Sequence, residues 1–146
     1  MRVVLDTNVL LSALISSHGA PDTIYHAWRD ARFELVTSLI QFDELRRVSR
    51  YPKLKAILPP HRVGAMMNNM QRAIVLEHLQ NLPEDIKVDD PDDVFLLAMA
   101  MAGNADYLVT GDRRAGLLQR GHINRTRIVT PANFCSEVLS KLSRNQ

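Results

Sequence analysis

The chain has 146 residues, 46% of them hydrophobic, and a formal charge of only +2, which fits one compact domain over residues 1–146 and leaves any affinity for a polyanion to where the charges sit. A single cysteine, Cys135, excludes an internal disulfide and a thiolate zinc cluster and favours a reducing compartment. The stretch before Asp6 is too short for a secretory apolar region, and no later apolar run approaches about 18 residues, so a cytoplasmic protein is expected.

The first element is the apolar triplet Val3, Val4 and Leu5, a short buried strand; Val9, Leu10, Ala13 and Leu14 then fall at helical spacing, so the period changes at "DTN". Gly19 and Pro21 punctuate the chain before "DTIYHAWRDA", a second helix. "FELVT", residues 33–37, reads as a strand, followed by Ser38 and Gln41 at capping-box spacing and a helix through about Arg50. Pro52, Pro59 and Pro60 make a connector. The spacing of Val63, Met66, Met67, Met70, Ile74 and Leu76 predicts a core-facing helix from His61 to about Leu79. Asp90 as cap and Pro91 at the first position start "DDVFLLAMAMAGN", with Gly103 as its stop. "DYLVTGD" and "RIVT" are strands, and Thr130-Pro131 opens the last helix, "PANFCSEVLSKL". Strands alternating with helices of this length predict an α/β fold, a parallel β-sheet sandwiched by helices. Ligands in such folds bind beyond the C-terminal ends of the strands.

That edge is where the acids collect. Asp6 closes "VVLD" and Asp112 closes "YLVTGD"; a helix cap and a turn aspartate are the plain readings of the two, a shared site the alternative. Glu44 lies on a helix face with Ile40 and Val48, either inward or at an edge with its tip in solvent. Its neighbour Asp43 reads as a surface ion pair with Arg47. A cap and first-turn acids account for Asp90 and Asp92, whereas Asp93 shares its face with Leu96, Leu97 and Ala100. Two carboxylates about 4 Å apart repel by about 4 kcal/mol at an effective dielectric near 20, so Asp6, Glu44, Asp93 and Asp112 in one pocket need a cation or a shared proton. Hard oxygen donors without Cys or His suit Mg²⁺ or Mn²⁺, which activate water and offset charge on a phosphoryl oxygen. No HExxH, GxxxxGK[ST] or GxSxG is present, and the five histidines show no acid–base spacing and read mostly as surface residues.

"VVLDTNVLLSAL", "TSLIQFDELRRVSRYPKL", "DPDDVFLLAMAMAGNADYLVTGD" and "RIVTPANF", in this order, resemble a PIN-domain protein of the toxin branch of toxin–antitoxin systems, similar to VapC toxins. The resemblance implies a three-layer α/β/α fold and a metal-dependent endoribonuclease leaving 5′-phosphate and 3′-hydroxyl ends. It also implies a cognate antitoxin partner and a homodimer. Matched position by position, Asp6, Glu44, Asp93 and Asp112 take the catalytic and metal-ligand roles, and Asn8 and Thr110 those of the polar residues that orient them. The segment after Asp112, "RRAGLLQRGHINRTR", departs from the family's usual acidic or short hydrophobic continuation.

Arg46, Arg47, Arg50, Lys53 and Lys55 follow Glu44, and Arg113, Arg114, Arg120, Arg125 and Arg127 follow Asp112, so both basic groups are expected beside the acids. Contacts from Arg46, Arg47, Arg50, Arg113 and Arg114 to RNA phosphates would position a substrate without reading its sequence; a solvated face or a groove for an acidic partner segment is the alternative. Two further functions compete. One is a non-catalytic RNA- or protein-binding PIN scaffold, although loss of catalysis normally shows as missing acids and all four are present. The other is a phosphatase-like enzyme with Asp6 as nucleophile, which requires an acid two residues on, where Asn8 stands, and a lysine closing a late strand, where none lies.

Overall fold

The computed structural model describes residues 1–111 and 116–144. In chain order these form β1 (Arg2–Leu5), α1 (Thr7–Ile15), α2 (Ala20–Arg29), β2 (Glu34–Ser38), α3 (Leu39–Ser49), the short α4 (Pro52–Lys55), α5 (Pro60–Met70) and β3 (Ile74–Leu76). There follow α6 (Pro91–Ala102), β4 (Tyr107–Val109), α7 (Leu117–Arg120), β5 (His122–Ile123) and β6 (Thr126–Val129). The last helical segment runs through α8 (Pro131–Asn133), a π-helical stretch (Phe134–Leu139) and α9 (Ser140–Arg144). The strands make one sheet in the order β3-β2-β1-β4-β6-β5. All pairs are parallel except β5 with β6, so the C-terminal ends of β1, β2, β4 and β6 share one edge.

Alternation along the central strands divides the core into two layers. Val3, Leu5, Leu35 and Val109 point to one face and pack with Leu10, Ile24, Leu45, Met66 and Phe134. Val4, Val36 and Leu108 point to the other, against Leu97, Met99 and Ala100 of α6. The expected parallel sheet between helical layers is thus the observed architecture. Among the described residues no helix is long and apolar enough to cross a membrane.

The helix starts follow the side chains that cap them. Ser38 Oγ accepts from the Gln41 backbone N–H at 3.1 Å, Asp90 from Asp92 N–H at 2.9 Å, and Thr130 from Asn133 N–H at 3.1 Å. α6 does stop at Gly103, but that residue keeps a right-handed φ of −87° and Asn104 takes the left-handed turn at φ 49°. The glycine is needed for a different reason. A Cβ there would lie 2.7 Å from Val36 Cγ1, so the end of α6 could not approach β2 so closely.

Three expectations are corrected. The helix expected from His61 to Leu79 ends at Met70, and Ile74, Val75 and Leu76 form β3, in register with Val36, Thr37 and Ser38 of β2. A short β-branched apolar run continues a helical pattern by count while its neighbours offer it an open strand edge, and here the edge wins. The proline connector contains the one-turn helix α4, with Pro52 at its first position. Between the two predicted late strands lie α7 and β5, with Gly121 at φ 79° joining them.

Candidate active site

Asp6 is the residue at which β1 becomes α1. Its backbone N–H extends the ladder to the Val109 carbonyl at 2.9 Å, while its carbonyl accepts the first bonds of α1 from Val9 and Leu10. The carboxylate serves both neighbouring elements: Oδ1 accepts from the Asn8 backbone N–H at 3.3 Å, and Oδ2 from the Thr110 hydroxyl at 2.7 Å. Each carboxylate oxygen has two acceptor positions, so capping a helix and acting in a site are compatible. Asp6 is 8% exposed and Thr110 is fully buried. Asn8 touches Asp6 through its backbone, and its side chain is exposed.

Glu44 reaches this edge from α3, on the helical layer of α1. It is half-buried; Ile40, expected on the same inward face, is exposed and Val48 only partly covered, so Glu44 occupies an edge position. Its carboxyl is pushed above its ordinary range of about 4.5, first by burial. The Thr7 hydroxyl opposes that shift, the charges of Asp92 and Asp6 add to it, and Arg47 opposes it. Two separately delivered acids, Asp6 and Glu44, therefore share one electrostatic environment.

Asp93 comes from the opposite layer, in the first turn of α6, and is 4% exposed. Its backbone N–H bonds the Asp90 carbonyl at 3.0 Å, and α6 is held to the end of β2 by Ser38 Oγ donating to Met99 Sδ at 3.2 Å. Asp112, Arg113 and Arg114 lie outside the described residues. Among the described residues, no three Asp, Glu, His or Cys side chains converge closely enough to hold a metal ion by themselves. The chemistry of the acids that are described is nonetheless that of a hard-cation site, with carboxylate oxygens and no imidazole or thiolate.

The structure also brings in three residues that sequence reasoning passed over. Asp92, read as a helix-dipole acid, adds its negative charge to the burial that raises the Glu44 carboxyl. Thr7, next to Asp6 and 1% exposed, favours the charged form of the Glu44 carboxyl through its hydroxyl. Gln41 is fully buried and bonds backwards to Leu5 and Thr7. The capping-box spacing marked Gln41, but its amide is turned into the sheet rather than back to Ser38.

The basic residues do not gather as one group. Asp43 pairs with Arg46 at 3.0 Å rather than with Arg47, whose guanidinium bonds the Tyr51 hydroxyl and lies 5.9 Å from that ring. Arg47 is thus the cation of α3 that acts on Glu44, whereas Arg46, Arg50 and Lys55 line a groove of about 490 Å³ floored by Leu58, Val63 and Met67. Arg120 bonds the Lys87 carbonyl. Arg125 and Arg127 lie at the other edge of the sheet, where Arg127 pairs in register with Tyr107 and Arg125 bridges Asp106 at 2.5 Å. The expectation that both basic runs flank the acids fails for these two, because β6 is parallel to β4 and starts at the far edge. All five histidines are exposed.

The family model described as PIN domain matches residues 2–114, well over half of the chain. No curated protein and no solved structure matches the chain. PIN domains are generally nucleases and typically bind divalent metal ions.

Proposed function

Because the chain belongs to the PIN-domain family, we propose that it is a Mg²⁺- or Mn²⁺-dependent endoribonuclease. The observation that carries the reading is the buried Asp6 at the C-terminal end of β1, held by Thr110 at the end of β4, at the edge to which α3 brings Glu44 and the start of α6 brings the buried Asp93. Asp6, Glu44 and Asp93, with Asp112, would hold the ion. When bound, such an ion lowers the pKa of a coordinated water and offsets charge on a phosphoryl oxygen.

The side chains do the rest. Thr110 fixes one oxygen of Asp6 and the start of α1 fixes the other, so the carboxylate is orientated before anything binds. Thr7 favours the ionised form of Glu44 against its burial. Arg47, next to Glu44 and tethered to Tyr51, is the residue to receive an RNA phosphate. The reading includes control by a cognate antitoxin, a homodimeric state and a cytoplasmic setting, for which the resemblance of the four motif blocks to VapC-like toxins is the support.

The test is incubation of the purified protein with total RNA, with Mn²⁺, with EDTA, and with an Asp6→Asn variant alongside. Fragments with 5′-phosphate and 3′-hydroxyl ends, formed only by the wild type with Mn²⁺, are expected. Cleavage that persists in EDTA or in Asp6→Asn refutes the reading.

A further inference from the structure

Gln41 is a polar side chain with no exposure to solvent, in a helix whose other inward residues are Phe42 and Leu45. A carboxamide in such a place is tolerated only if its hydrogen bonds are made. Its Nε2 donates to the Leu5 carbonyl at 2.7 Å and, at a longer 3.4 Å, to the Thr7 hydroxyl oxygen. Its Oε1 accepts from the Thr37 hydroxyl at 2.7 Å. Leu5 and Thr7 are the two neighbours of Asp6 in the chain, and Gln41 stands one helical turn before Glu44. One amide therefore holds the backbone carbonyl before the first acid and the side-chain hydroxyl after it, while being carried by the helix that bears the second.

The grip has a direction. Thr37 gives its proton to Oε1, which fixes the amide with both N–H groups towards Leu5 and Thr7; turned over, the amide would set an oxygen against the Leu5 carbonyl, acceptor against acceptor. The Thr7 oxygen, accepting a hydrogen bond from Gln41, turns its own O–H away from Gln41, and Glu44 is the group whose charge that hydroxyl favours. An apolar residue of the same length would fill the same space but take from the buried Thr37 hydroxyl its acceptor and from the Leu5 carbonyl this donor.

We propose that Gln41 is a positioning residue, keyed by Thr37, that sets the separation and orientation of Asp6 and Glu44. The inference rests on the reading of these acids as a metal site, and its test separates the two. Gln41→Met keeps the volume and removes the bonds; Thr37→Val removes only the key, and Thr37→Ser restores it. For each, Mn²⁺ affinity is measured by calorimetry, kcat and KM on RNA are resolved separately, and the metal-free protein is crystallised. Gln41→Met and Thr37→Val are expected to lose about ten- to a hundredfold in Mn²⁺ affinity and kcat, the range for residues that orient ligands. KM should hardly change, the two carboxylates should be displaced in the crystals, and Thr37→Ser should recover all three properties. Variants that melt earlier but keep the wild-type carboxylate geometry and Mn²⁺ affinity overturn the proposal, because they show an amide that only completes the core. If the wild type binds no Mn²⁺, the nuclease reading fails, and the metal-free crystals still decide: displaced carboxylates restored by Thr37→Ser support the role of Gln41, and unmoved ones reject it. Should Gln41→Met not fold, the Thr37 pair gives the same decision.

Discussion

At the N-terminal edge of the sheet, Asp106 accepts from the Arg2 backbone N–H at 2.8 Å and pairs with Arg125 at 2.5 Å. At the C-terminal edge, Glu44 faces Asp92 and Asp6 with Arg47 as its cation. The two carboxyls shift in opposite directions. Burial tends to raise Asp106 as well, but the Arg2 N–H and the Arg125 guanidinium outweigh it and hold the group below its ordinary range. At Glu44 burial wins, and its acidic neighbours add to it. An acid whose charge is already answered ties chain segments together; acids whose charges reinforce one another leave a demand for a cation.

The strongest consequence lies at the acid-rich edge. Asp93→Asn should lower Mn²⁺-dependent RNA cleavage by at least about a hundredfold, more than is usual for residues behind the ligands. The same variant without metal should melt no lower than the wild type, because a buried charge beside other acids has been removed. Full activity in Asp93→Asn would take that residue out of the site.

Mn²⁺ itself should act on one edge only. At about a hundred times its dissociation constant it should stabilise the fold by about 2.7 kcal/mol, seen as a rise in melting temperature. Asp6→Asn should abolish that rise, and an Arg125→Ala variant should keep it.

Glu44 makes the comparison pH-dependent. Its folded-state value lies above the unfolded one, so the native protein takes up this proton first as pH falls. The associated stability is present below the unfolded value of about 4.5 and is lost as pH rises through the raised value. In metal-free melts, Glu44→Gln should therefore be steadier than the wild type near about pH 7, with the gap closing towards about pH 5. A gap independent of pH would show that Glu44 is not strained by its surroundings.

At the opposite edge the effect should be small. Arg125 is 63% exposed at its side chain, and Arg125→Ala should cost no more than about 1 kcal/mol in chemical denaturation. Cleavage should be unchanged, since Arg125 is separated from Asp6 by the length of β4.

Much of the fold was legible because it depends on local patterns. The triplets of β1, β2, β4 and β6, and the caps Ser38, Asp90 and Thr130, are runs and spacings that neighbouring residues decide. β3 was not legible: Ile74–Leu76 extends the methionine pattern of α5, and only the open side of β2 draws it into the sheet. The same distinction holds in the site. Asp6 and Asp93 stood out because a strand end and an apolar helix face frame them. Asp92, Thr7 and Gln41 act across elements, so the local spacings that marked Gln41 as part of a capping box and Asp92 as a first-turn acid did not announce these roles. The basic residues show the limit most plainly, for Arg46, Arg47 and Arg50 are neighbours in sequence yet serve different flanks of α3, and Arg125 lies across the sheet.

Anomalous scattering from a crystal soaked in Mn²⁺ asks most directly whether acids from both helical layers meet at one ion. The expected result is a manganese peak within about 2.5 Å of carboxylate oxygens of Asp6 and Asp93, with Glu44 reaching it directly or through water. No peak at that edge, or manganese held only by surface acids such as Asp106, would contradict it.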